Sequence, residues 1–196
     1  MSMNYSSQYY TDIKDALEKM IATDKMGNVL DKDQALEEWI DESEQRKQRR
    51  GVFFFCGNGA SATMAEHMSH DCFQNADFQT YTVSETSHIT AISNDISYEE
   101  VFSYRIGKML TDKDMVIAIS SSGNSPNIVR AIEKANEIGC YVVTVSGKKE
   151  DNKIRKMGNL NFYVPLFTYG MVESAHAVLL HSWIDRYQDK YLEGRH

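Results

Sequence analysis

Two short segments of this 196-residue chain carry the residue types that grip a phosphate. Gly57-Asn58-Gly59-Ala60-Ser61 follows the apolar run Val52-Phe53-Phe54-Phe55-Cys56. Ser120-Ser121-Ser122-Gly123-Asn124-Ser125 follows Met115-Val116-Ile117-Ala118-Ile119. Both segments are small and polar, and both lead into helical patterns. Glycine permits a tight turn, and the unpaired first-turn amides of the next helix, with its dipole, attract an anion. Serine hydroxyls add neutral donors without the bulk of lysine. Ser125 before Pro126 also fits a helix N-cap followed by proline at the first helical position, and the two roles are compatible. Four serines exceed what a cap needs. No Gly-Lys-Ser/Thr follows either segment, and neither has GxGxxG spacing, so a nicotinamide cofactor is not indicated.

A second constellation consists of histidines and carboxylates. His67 and Asp71 are four apart, which puts them on one face of a helix. Glu173 and His181 are eight apart, and eight helical residues end about 80° beyond two full turns, so both lean to one side. Two nitrogen and two oxygen donors suit a divalent metal, and they suit general acid–base work equally well. Metal ligation and proton transfer compete for the same lone pairs, so the residues alone leave that choice open. The bland alternative for His67 and Asp71 is a hydrogen bond along one helix face. His70 lies on a neighbouring flank, and His176 stands among apolar residues where it reads equally as a packing residue.

These groups need a scaffold. Apolar runs at 52–56, 115–119, 140–145 and 160–164, with a further one at 78–83, do not alternate, which suits strands covered on both faces. Helical patterns lie between them at 60–75, 98–110, 125–138, 150–157 and 169–192. Strand–helix alternation predicts a parallel sheet in a three-layer α/β domain, with ligands bound beyond the carboxyl ends of the strands. Ahead of it, residues 4–25 and 31–50 read as two extra helices. They carry Tyr9, Tyr10, Leu36, Trp39 and Ile40 among other apolar residues, enough to predict a subunit interface.

Composition narrows the classes. One domain over 1–196 is expected, with helices in 1–50 and the α/β core in 51–190. Lys plus Arg number 21 against 28 Asp plus Glu, a net −7, which speaks against a general nucleic-acid binder. No apolar stretch is long enough for a membrane span, and the N-terminal residues lack the form of a secretory signal. Three cysteines without metal-type spacing point to a reducing cytoplasm.

At CGNGASATMAEHMSHD, SETSHITAISND, ISSSGNSPNIVRAIEKANEIGCYVVTVSG and VPLFTYGMVESAH, the chain resembles the sugar isomerase (SIS) domain family, in particular its phosphoheptose isomerase group. The resemblance extends over about 51–190. It implies a flavodoxin-like sheet and a homotetramer with active sites between subunits. It places phosphate-binding serines at Ser61, Ser120, Ser122 and Ser125, with Ser121 where the family often has threonine, and puts Asn58 and Gly59 in the same pocket. The family's sugar-side Asn-Asp falls on Asn94 and Asp95. Its zinc histidine falls on His67 and its catalytic histidine on His181. Two positions depart: Asp71 stands where the family has glutamate, and Glu173 where it has glutamine. The implied zinc set is His67, Asp71, Glu173 and His181.

The activity so implied is isomerisation of sedoheptulose 7-phosphate to D-glycero-D-manno-heptose 7-phosphate through an enediol, for surface-glycan synthesis. Asp71 would be the base or a metal ligand, and His181 the second proton carrier. A non-catalytic relative that binds the replication initiator DnaA is the main rival, and such an adaptor could dispense with the acid–base set that is present here. A sugar-phosphate-sensing module is the third reading, but no basic recognition helix is evident in 1–50.

Overall fold

The computed structural model describes residues 4–192. Five strands form its centre: β3 (Val52–Cys56), β4 (Gln79–Thr82), β5 (Met115–Ser120), β6 (Tyr141–Ser146) and β7 (Leu160–Tyr163). They lie in the order β7-β6-β5-β3-β4 and are all parallel. Counted from β3, this is the 2-1-3-4-5 order of a flavodoxin-like sheet. Strand alternation divides the core. Phe53, Phe55, Met115, Ile117, Val143 and Val145 face one layer, while Phe54, Val116, Ala118 and Val142 face the other.

Helices cover both faces. On the first lie α2 (Lys32–Gln48), α3 (Ala60–Ala76) and α7 (Tyr169–Tyr191). On the second lie α4 (Thr86–Asp95), α5 (Ser103–Met109) and α6 (Pro126–Ile138). In α6 the buried residues Ile128, Ala131, Ile132 and Ala135 fall three and four apart, the stripe of an amphipathic helix. The loops after β3 and β5 both open at the point where the strand order reverses, the usual ligand position in such a sheet.

Several expectations change here. The helix expected over 4–25 ends early: α1 is Tyr5–Glu18, and the chain then forms a hairpin of β1 (Ile21–Asp24) and β2 (Val29–Leu30). The Asp24 carboxylate accepts from the amides of Met26 and Asn28, and Gly27 takes φ 84°, so the local turn wins over helix continuation. β1 pairs antiparallel with β7 and extends the sheet to seven strands. The segment at 98–110 divides into a 3-10 turn at Tyr98–Glu100 and α5, and 150–157 contracts to a 3-10 turn at Lys153–Lys156.

The predicted interface also narrows. Trp39 and Ile40 of α2 are fully buried within the chain, where Trp39 stacks on Trp183 with ring centroids 4.3 Å apart. They cover the sheet and are not available to a partner. On α1, Ile13 and Leu17 pack on Val172 and Ala175, while Tyr5 and Tyr10 remain exposed. All three cysteines are free thiols and buried. No helix among the described residues is long and apolar enough to cross a membrane.

Candidate active site

A cleft of about 280 Å³ opens at the carboxyl ends of β3 and β5, bounded by both glycine-serine loops and the start of α7. Gly57 brings α3 hard against β3, since a Cβ there would lie 2.4 Å from the Ser61 carbonyl oxygen. Gly59, at φ 56°, turns the chain into the helix with no side chain capping it. Across the cleft, Gly123 sits at φ 63°, where a Cβ would meet Asn152 Oδ1 at 2.0 Å. Ser125 is the N-cap residue of α6, yet its hydroxyl makes no capping bond. Capping therefore does not account for the Ser125 hydroxyl.

The sequence candidates Asn58, Gly59, Ser61, Ser120, Ser121, Ser122, Ser125 and Glu173 all line this cleft. Glu173 Oε1 lies 3.4 Å from Ser121 Oγ, which donates to it. Asn58 is locked by a reciprocal amide pair with Asn127, at 2.8 and 2.9 Å, and by Tyr98, whose hydroxyl donates to it at 3.0 Å. Asn127, Tyr98 and the cleft-lining Tyr169 were not singled out as site residues in the sequence. Asn127 had a readable signal, being the second residue of α6, whereas Tyr98 arrives only through the turn after α4.

The structure does not bring Asn94 and Asp95 to the cleft lining. They end α4 exposed, with Asn94 Nδ2 donating to Asp95 Oδ1 at 2.9 Å. Tyr98, three residues on, is the part of that segment that reaches the site.

Farther along the α3–α7 seam, His67, Asp71 and His181 converge. Their donor atoms all lie within 4.8 Å of one another. The two Nε2 atoms are 3.0 Å apart, and Asp71 Oδ2 lies 3.2 Å from His67 Nε2 and 3.8 Å from His181 Nε2. Ligands at 2.0–2.1 Å from a tetrahedral zinc stand roughly 3.3 Å from each other. These three separations bracket that value, so the residues fit the ion. His181 Nδ1 lies 2.8 Å from the Ala177 carbonyl. Donation there leaves Nε2 with its lone pair turned to the cluster, the orientation a ligating or proton-accepting imidazole needs. Glu173, the fourth expected ligand, stands in the serine cleft and is not part of this group.

His70 is exposed and outside the cluster. His176 lies fully buried on α7, and neither ring nitrogen makes a hydrogen bond. Burial pushes its pKa down to about 4.

The SIS domain family matches residues 8–147. The chain belongs to that family. Among curated relatives, this SIS chain is 31% identical over 168 residues to the phosphoheptose isomerase of Fusobacterium nucleatum, covering 76% of this chain and 86% of that one. It is 30% identical over 144 residues to that of Helicobacter pylori strain P12, covering 70% and 74%. The solved phosphoheptose isomerase GmhA of Neisseria gonorrhoeae superposes with a TM-score of 0.80 at 24% identity, over 94% of this chain and 96% of that chain. At that identity the structural likeness speaks for the fold alone.

Proposed function

We propose that the protein is an aldose–ketose isomerase acting on a seven-carbon sugar 7-phosphate, with sedoheptulose 7-phosphate and D-glycero-D-manno-heptose 7-phosphate as the pair. One observation carries this reading: a cleft of neutral phosphate donors and a His–Asp–His cluster lie along the same two helices. From Ser61 to His67 the axis of α3 rises about 9 Å, and from Glu173 to His181 that of α7 rises about 12 Å. A phosphorylated sugar chain laid along this seam would have its phosphate at the serines and its reacting carbons near the cluster.

The chemistry moves a proton between C1 and C2. The serine loops and the first amides of α3 and α6 hold the phosphate and so fix the reacting end by positioning. The Asp71 carboxylate takes the proton from carbon and returns it to the neighbouring carbon of the enediol. His181 Nε2 carries the second proton between the two substrate oxygens, its ring held by Ala177. His67, Asp71 and His181 would hold zinc, which when bound polarises those oxygens. The His181 Nε2 lone pair serves one role at a time, so its proton-carrying role belongs to the zinc-free site, whereas Asp71 can ligate with one carboxylate oxygen and take the proton with the other. Glu173, through Ser121, orders the phosphate loop and does not contribute a ligand to the ion.

A homo-oligomer, most simply a tetramer in the cytoplasm, completes this reading. The exposed aromatics of α1 supply surface for subunit contact, and the free, buried thiols suit a reducing compartment. The retained His–Asp–His cluster argues against the DnaA-binding adaptor, which has no need of it. The test is a sugar-phosphate panel on purified protein with a parallel metal assay. Conversion of sedoheptulose 7-phosphate supports the reading, and no turnover with zinc supplied removes it.

A further inference from the structure

The serine cleft has an uncompensated charge. Its lining holds one charged side chain, Glu173, and that one is negative. Hydroxyls and amides alone would then answer a phosphate dianion beside a carboxylate. A cation stands one ring away. Lys148 Nζ lies 3.6 Å from the ring centroid of Tyr169, and Tyr169 lines the cleft. Among the described residues no carboxylate lies within salt-bridge distance of Lys148, although Glu150 and Asp151 line a neighbouring pocket with it.

The backbone places this lysine with some effort. Lys148 follows β6 at the same carboxyl-terminal end of the sheet as the serine loop, since Ser146 pairs in register with Ser120. It sits at φ 59°, a left-handed conformation that costs a residue bearing a Cβ. Such strain persists only where the surroundings over-determine it. Here the Lys148 amide donates to the Leu166 carbonyl at 2.9 Å, and the Tyr163 hydroxyl donates to the Lys148 carbonyl at 3.0 Å. The preceding Gly147 admits no side chain, because a Cβ there would lie 2.6 Å from Val172 Cγ1. An aromatic face restrains the ammonium without discharging it, so less rotamer freedom is lost when an anion arrives.

We propose that Lys148 is the cation that recognises the phosphate monoester at the mouth of the serine cleft, held ready by Tyr169. The proposal rests on the reading of that cleft as a phosphate site. Lys148 acts on affinity and encounter, and the proton-transfer step remains with the His–Asp–His cluster.

The test is titration calorimetry of wild type, Lys148→Gln, Lys148→Arg and Lys149→Gln, with sedoheptulose 7-phosphate and with inorganic phosphate as separate probes. Losing a hydrogen bond to a charged group predicts about tenfold weaker binding of both probes by Lys148→Gln. Its KM should rise in step, with a much smaller change in kcat, and its affinity should depend less on salt. Lys148→Arg should restore most of the loss. Lys149→Gln, an exposed neighbour, should behave as wild type. Equal affinities for Lys148→Gln and Lys149→Gln overturn the inference. Lys148-dependent phosphate binding without sugar-phosphate turnover keeps the inference and removes the isomerase reading. Turnover with unchanged Lys148→Gln affinity does the reverse, and a wild type that binds neither probe overturns both.

Discussion

His67 and His181 are 114 residues apart in the chain, and their Nε2 atoms stand 3.0 Å apart across the α3–α7 seam. Because Nδ1 of His181 is engaged by Ala177, the two rings present one lone pair and one proton to each other, or two lone pairs to an ion. His181→Asn should therefore leave folding and phosphate binding nearly intact while turnover falls 10²–10⁴-fold, roughly the range for loss of a positioned acid or base. A variant that mainly loses melting temperature and keeps its turnover would make His181 a packing residue.

Asp71 gives a sharper comparison. Its carboxylate reaches His67 at 3.2 Å and His181 at 3.8 Å from a short side chain. Asp71→Glu should push that carboxylate about 1 Å too far and lower activity at least about tenfold. Equal or higher activity would show that the aspartate is tolerated there and not tuned. Unchanged zinc content and activity in Asp71→Ala would exclude it from both roles.

The phosphate loops offer two tests of different kinds. Ser122→Ala removes a donor and should weaken sugar-phosphate binding by about 1–3 kcal/mol without moving the melting temperature. Gly123→Ala should lower both, because its methyl group would collide with the buried Asn152 and the backbone there is left-handed. Wild-type binding by both variants would place the phosphate elsewhere.

His176 predicts a pH dependence of stability. In the unfolded chain its imidazole takes a proton near pH 6.5, whereas in the fold it resists until about pH 4. Stability is thus fully present above pH 6.5 and is lost as pH falls toward 4, by ~3 kcal/mol at most. Melting curves at pH 7 and pH 5 should separate more for wild type than for His176→Leu. Equal separation would mean that another group governs this window.

Self-association of the chain, where it occurs, is expected to use α1. Tyr5→Ser with Tyr10→Ser should shift the mass in solution toward smaller species and leave the fold of the chain intact. A wild type that is monomeric at micromolar concentration would sink the assembly outright.

Much of the scaffold was legible because unbroken apolar runs such as 115–119 and the glycine-serine segments behind them can do little else in a chain of this kind. The hairpin at 21–30 was not, since Met20 and Ile21 continue the apolar spacing of α1, and the signal against a helix was polar: Asp24 before Gly27 and Asn28. Helix α4 buries only Ile92, so it leaves almost no periodic trace. Within the site, the loops were readable one at a time. The meeting of His67 with His181 was readable as residue types, and the exclusion of Glu173 from it was not, because that depends on where α7 begins its approach to Ser121. Tyr98 and Lys148 owe their places to backbone turns whose direction no residue spacing encodes.

The Trp39–Trp183 stack gives the molecule a built-in optical gauge. The chain has two tryptophans, and both are in this pair, their ring planes nearly parallel at 7°. All indole emission, and any exciton couplet in the near-ultraviolet, therefore reports one seam, where α2 lies on the helix that carries His181. If the leading segment peels away before the parallel strands melt, the couplet will vanish while backbone dichroism persists. One spectrum would then separate undocking from collapse, with no label attached.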